Sequence, residues 1–85
     1  MHTKTVRVGS AIGLHARPAA VIAEAAVQAG VPVTLSVEGG EPVDAGSALM
    51  IMTLGAGNGA RVTVASEDEA VVSTIAGLVQ SDLDT

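Results

Sequence analysis

No phenylalanine, tyrosine, tryptophan or cysteine occurs in the 85 residues, so this chain has to build its core from valine, isoleucine, leucine, methionine and alanine alone. Nothing covalent supports that core, because without cysteine there is neither a disulfide framework nor a thiolate metal site. A chain of 85 residues is expected to form one small domain, residues 1–85, that buries roughly 60–65% of its unfolded surface. That leaves room for one layer of helices on one sheet. The same composition restricts function. Base stacking on aromatic side chains is unavailable, and a net charge of −5 opposes contact with a phosphate backbone, so no nucleic-acid partner is expected. The N-terminus does not read as a signal peptide and no apolar run is long enough to span a bilayer, so the expectation is a cytosolic protein with no membrane insertion. Two isolated histidines, His2 and His15, do not make a metal site, and no cofactor is expected.

The hydrophobic pattern orders the elements. Thr5-Val6-Arg7-Val8 alternates as a half-buried strand with Val6 and Val8 inward, and residues 9–13 form a loop to the first helix. Along that helix Ala19, Ile22, Ala23 and Ala26 recur at helical spacing and should face the sheet, and Gly30 stops it. Residues 31–37 alternate again, with Val33, Leu35 and Val37 on one face, and Glu38-Gly39-Gly40-Glu41 turns into a short strand around Val43. Ser47 caps a short second helix, residues 55–59 with Asn58 make a flexible turn, and Val62 and Val64 mark the last strand. Ser66-Glu67-Asp68-Glu69 reads as a capping box for a final helix whose Val71, Ile75, Leu78 and Val79 line one face. The order βαββαβα, with strands and helices not strictly alternating, predicts an α+β fold with helices on one face of a mainly antiparallel sheet.

Chemistry concentrates in residues 12–20, Ile-Gly-Leu-His-Ala-Arg-Pro-Ala-Ala. Pro18 fits a helix only in its first turn, where its missing N–H is not needed, so the helix begins within a residue or two of Ala16 and His15 lies at or beside the N-cap. A helix start offers unpaired amides and a partial positive charge, a combination that holds phosphate. Arg17 adds a planar fork of donors suited to phosphate oxygens. Imidazole is a side chain able to act as a neutral nucleophile near pH 7. Local chemistry alone leaves a second reading open, in which His15 merely caps the helix and Arg17 is solvated, although histidine is not among the favoured N-cap residues. Charge supports the first reading. Lys4, Arg7 and Arg17 precede every acid in the chain, the first being Glu24, so the His15 end is locally basic and suited to steer an acidic partner.

Gly-Leu-His-Ala-Arg-Pro-Ala resembles the active-site signature of the HPr family, the histidine phosphocarriers of the bacterial phosphoenolpyruvate-dependent sugar phosphotransferase system. Residues 47–55, Ser-Ala-Leu-Met-Ile-Met-Thr-Leu-Gly, are similar to the family's second signature, and spacing, length and element order agree across essentially the whole chain. The resemblance implies an open-faced β-sandwich, a four-stranded antiparallel sheet with three helices on one face. It implies His15 as phosphoryl acceptor, normally through Nδ1, Arg17 as the residue that assists phosphate stabilisation, and the backbone of Ala16 and Arg17 as phosphate-binding. The partners implied are enzyme I, itself phosphorylated from phosphoenolpyruvate, as donor, and enzyme IIA domains of sugar permeases as acceptors. The chain is then a monomeric carrier, consumed and regenerated, rather than an enzyme. A non-catalytic interaction module with His15 as a relic is the rival, and the intact His15, Arg17 and Pro18 weigh against it.

One site serving two partners calls for an apolar surface around His15. Ala20, Glu24 and Val27 fall on the face of the first helix away from Ala19, Ile22 and Ala26. Ala48, Leu49 and Met52 match family positions that meet enzyme I. Leucine and methionine at helical spacing read as core when taken alone; the resemblance moves Leu49 to the surface and leaves Ile51 as the buried residue. The serine equivalent to Ser47 is a regulatory phosphosite in some relatives. Here Gly46 stands where a basic residue often precedes it, and Glu24 and Val27 occupy positions where regulated relatives carry cations. Capping explains Ser47 without a kinase.

Overall fold

Alternation along the strands decides which side of the sheet is covered. The computed structural model describes residues 1–82. It contains β1 (His2–Arg7), α1 (Ala16–Ala29), β2 (Val33–Val37), β3 (Val43–Asp44), α2 (Ala48–Thr53), β4 (Arg61–Ser66) and α3 (Glu69–Gln80), the order expected from the sequence. The strands form one antiparallel sheet in the order β1-β4-β2-β3. Val6, Val33, Leu35, Val62 and Val64 turn to one face, where the helices pack. Opposing them are Ala19, Ile22, Ala23 and Ala26 of α1, Ile51 of α2, and Val72, Ile75, Ala76 and Val79 of α3, all buried. The uncovered face is polar, with Thr5 Oγ1 hydrogen-bonded to Thr63 Oγ1 across strands at 2.8 Å. The fold is therefore the expected open-faced β-sandwich.

Helix ends follow local chemistry. Gly30 takes the left-handed conformation, φ 73°, and donates its N–H to Val27 O, closing α1. Ser47 Oγ accepts from Met50 N–H at 3.2 Å, so Ser47 is the N-cap of α2. Ser47→Ala is expected to cost about 1 kcal/mol in chemical denaturation, with Ser47→Asp, which keeps an acceptor, close to wild type.

Three expectations are corrected. The final helix is not opened by Ser66. That serine ends β4, is buried, and donates its hydroxyl to Pro32 O at 2.9 Å where β4 pairs with β2. Asp68 is the N-cap instead, its Oδ1 accepting from Ala70 and Val71 N–H. The core stripe becomes Val72, Ile75, Ala76 and Val79, and Val71 and Leu78 are only partly buried against it. The first strand is longer at its start than Thr5, since His2, Thr3 and Lys4 pair with Ser66, Ala65 and Val64 despite having no inward apolar residue. Val8, expected within it, is buried just beyond its end. Finally, the turn carrying Asn58 is tied down. The Asn58 amide lies 3.2 Å from Ser10 O and 3.4 Å from Val8 O, fastening the loop that leads to His15.

Candidate functional site

The backbone on either side of His15 is anchored in the core. Leu14 on one side and Pro18 on the other are buried, anchoring the start of α1 in the core. Leu14 N–H donates to Ala56 O at 2.9 Å. Gly13 adopts φ +93°, and a Cβ there would lie 2.5 Å from Ala56 O, so only glycine allows this close approach of the two loops. Gly9 N–H donates to Val79 O and Asn58 bridges the loop carbonyls, completing the support. Asn58→Ala is expected to cost about 1 kcal/mol in chemical denaturation and to raise amide exchange across residues 8–14.

His15 is the N-cap of α1, extended in backbone conformation, and its carbonyl accepts the first helical bond from Ala19 N–H at 3.0 Å. Its side chain accepts no capping bond, so it does not play the ordinary part of an N-cap residue. By helix geometry the N–H groups of Ala16 and Arg17 have no intrahelical carbonyl to reach, and Pro18 has no N–H. The first turn carries no acid, which leaves the positive end of the macrodipole open to an anion. His15 is half-buried, and it lines a shallow depression of about 370 Å³ with Ile12, Leu14, Met52, Gly55, Ala56 and Gly57.

The residues singled out in the sequence fall as follows. Ala16, Arg17, Ala20 and Glu24 are exposed, and Val27 is 65% exposed. Leu49 is 70% exposed and Met52 is exposed, while Ile51 is fully buried, so α2 presents one apolar side to solvent and one to the core. Ala48 is half-buried and packs against the core. Arg17 does not line the His15 depression, and neither do Lys4 or Arg7, which lie along β1 instead. The basic character read from the N-terminal third is therefore divided between two places. Just before Ser47, Gly46 N–H bonds to Asp44 Oδ1 at 2.8 Å, and a Cβ on Gly46 would meet Val27 Cγ2 at 3.3 Å. Sequence reasoning missed Ile12, 73% exposed on the rim of the depression, because a loop has no period that tells inward from outward.

Comparison with known proteins gives the family and the fold. A family model described as PTS HPr component phosphorylation site matches residues 2–81. The phosphocarrier protein HPr of Streptomyces coelicolor is 42% identical, over 99% of this chain and 94% of its own. Among solved structures, the phosphocarrier protein HPr of Bacillus anthracis superimposes with a TM-score of 0.85 at 32% identity, covering 93% of this chain and 96% of its own. HPr of Thermoanaerobacter tengcongensis gives 0.87 at 27% identity, covering 100% and 98%. The class is thus a phosphocarrier of the phosphotransferase system and not a catalytic enzyme. The chain belongs to the HPr family. No helix among the described residues is long and apolar enough to cross a membrane.

Proposed function

We propose that this chain carries a phosphoryl group on the imidazole of His15, taking it from phosphorylated enzyme I and delivering it to enzyme IIA domains of sugar permeases. The observation that carries the reading is His15 at the N-cap of α1, making no capping bond with its side chain, beside two amides that the helix leaves unsatisfied. In the loading step the lone pair of Nδ1 attacks phosphorus, the bond from phosphorus to the donor atom breaks, and its electron pair leaves with the donor. Unloading reverses these roles with the acceptor as nucleophile. The charge spread over the equatorial oxygens is met by the N–H groups of Ala16 and Arg17, by the helix end, and by the Arg17 guanidinium swinging in from solvent. Phosphoryl transfer needs positioning and electrostatics above all, so a fixed histidine is sufficient on the carrier's side.

The partners dock in turn on the surface around the depression. Ile12, Leu49 and Met52 form its exposed apolar part, and Ala20, Glu24 and Val27 continue it along α1. Ala48 supports this surface from its half-buried position. The chain works as a monomer of one domain in the cytoplasm, and Ser47 serves as the cap of α2 rather than as a phosphosite.

The test is transfer kinetics with a purified enzyme IIA domain. Phosphorylated chain is expected to lose its phosphoryl group to the acceptor stoichiometrically. Arg17→Ala should slow the step by about tenfold to a hundredfold, at or below the roughly 100- to 1,000-fold typical for loss of one preorganised donor, because the Arg17 guanidinium is exposed and the backbone amides remain. Wild-type rates in that variant would remove Arg17 from the site.

A further inference from the structure

Three of the chain's four cations lie together at the free edge of the sheet, where the fold leaves backbone unpaired. β1 has one neighbour, β4. Val8, continuing β1, donates its N–H to Ala60 O at 2.9 Å and accepts from Gly59 N–H at 2.9 Å. The alternation of an antiparallel ladder then turns the N–H and C=O groups of Lys4 and Val6 toward β4, and those of Thr3, Thr5 and Arg7 outward. Gly9, next in the outward set, has its N–H taken by Val79 O at 3.1 Å. α3 therefore closes the edge only at that end, and Thr3 to Arg7 present a strand edge ready for pairing.

A groove of about 570 Å³ is lined by Lys4, Thr5, Val6, Arg7, Arg61 and Gln80. Among the described residues that line it there is no carboxylate. Arg7 and Arg61 stand directly opposite each other in register, an arrangement of like charges that costs stability. Among the described residues the ion pairs within 4 Å join the N-terminus to Glu67 and His2 to Glu69, so no carboxylate pairs with these three cations. Arg7 is restrained only by a long bond from Nη1 to Gly59 O, 3.4 Å. In a protein of net charge −5, a basic groove beside an open strand edge is a match for negative charge in extended form, and the Glu38 carboxylate lies only in the adjoining depression that shares Thr5 and Arg61, without an ion pair to Arg61.

We propose that the outer edge of β1 docks an extended acidic peptide segment of a partner protein by strand addition. Thr3, Thr5 and Arg7 supply the main-chain hydrogen bonds, and Arg7 and Arg61, side by side on the uncovered face, receive the carboxylates that an extended peptide carries at alternate positions, while Lys4, on the other face with Val6, adds only to the positive field of the edge. Charge selects this occupant over a second copy of the chain, because joining two β1 edges would bring both sets of cations into one ribbon. The groove shares no residue with the depression at His15, so both can be occupied at once.

The test is titration of the ¹⁵N-labelled protein with a blocked synthetic heptapeptide of alternating glutamate and valine. Amide shifts and slowed exchange are expected at Thr3, Thr5 and Arg7, with the His15 loop unmoved. The double variant Arg7→Gln, Arg61→Gln should bind about tenfold more weakly, as two exposed charges on the face of the glutamates are lost, and its spectrum outside β1 and β4 should remain that of wild type. The same peptide N-methylated throughout keeps its charge, cannot donate main-chain bonds, and should not bind. The proposal is overturned by silence at the three amides at millimolar peptide, by equal binding of the N-methylated peptide or of a lysine-valine peptide, or by peptide-independent dimerisation through β1 in sedimentation.

Discussion

Replacing His15 by alanine is expected to abolish phosphorylation by enzyme I and phosphoenolpyruvate while leaving the thermal midpoint close to wild type. Both halves follow from the same geometry. The residue is an N-cap whose side chain accepts no capping bond, so the helix loses little of what serine or aspartate caps contribute, about 1 kcal/mol in typical cases. The core is sealed on either side of it by Leu14 and Pro18. The nucleophile, in contrast, has no substitute among the described residues that line the depression, none of which besides His15 can take a phosphoryl group. Intact mass and calorimetry check the two halves separately. A variant that still gains an acid-labile phosphoryl group would move the site elsewhere, and one that unfolds would make His15 a structural residue.

The second large effect divides two neighbours on α2. Ile51→Ala is expected to destabilise the fold by about 2–5 kcal/mol, because a fully buried isoleucine anchors a helix of 6 residues that packs mainly against α1. Leu49→Glu should change stability by less than about 0.5 kcal/mol, the usual range for an exposed position. It should nevertheless weaken enzyme I binding about tenfold or more, since it sets a charge into an apolar docking surface. Chemical denaturation and calorimetric binding measure the two quantities independently. A large fall in unfolding midpoint for Leu49→Glu would place that side chain in the core and remove it from the docking surface.

Periodicity made most of the fold legible. The valines of β2 and β4 and the alanines and isoleucine of α1 occur at spacings that only one arrangement buries together. It was silent where side chains carry no such pattern. His2, Thr3 and Lys4 enter the sheet because β4 offers backbone partners, a tertiary effect invisible in the polar sequence itself. Ser66 carries the signature of a helix cap, yet its hydroxyl is committed to Pro32 O across the sheet, and the helix starts two residues further on at Asp68. That shift replaced Val71 and Leu78 by Val72 and Ala76 in the core stripe.

At the candidate site, Pro18 located the helix start, and with it His15 and the two open amides. The supports were harder to see. Asn58 and Ala56 reach the loop from about forty to fifty residues away in sequence, and nothing local distinguishes an asparagine that fastens a loop from one that merely tolerates a turn. The exposure of Ile12 and Leu49 rested on tertiary placement for the same reason.

Mapping the phosphoryl group by fragmentation mass spectrometry, after incubating the wild-type chain with enzyme I and phosphoenolpyruvate under non-acidic conditions, tests the central claim most directly. A gain of one phosphoryl group is expected, labile to acid and assigned to the imidazole of His15. No gain, or a group found on His2 or as an acid-stable ester on Ser47, would contradict it.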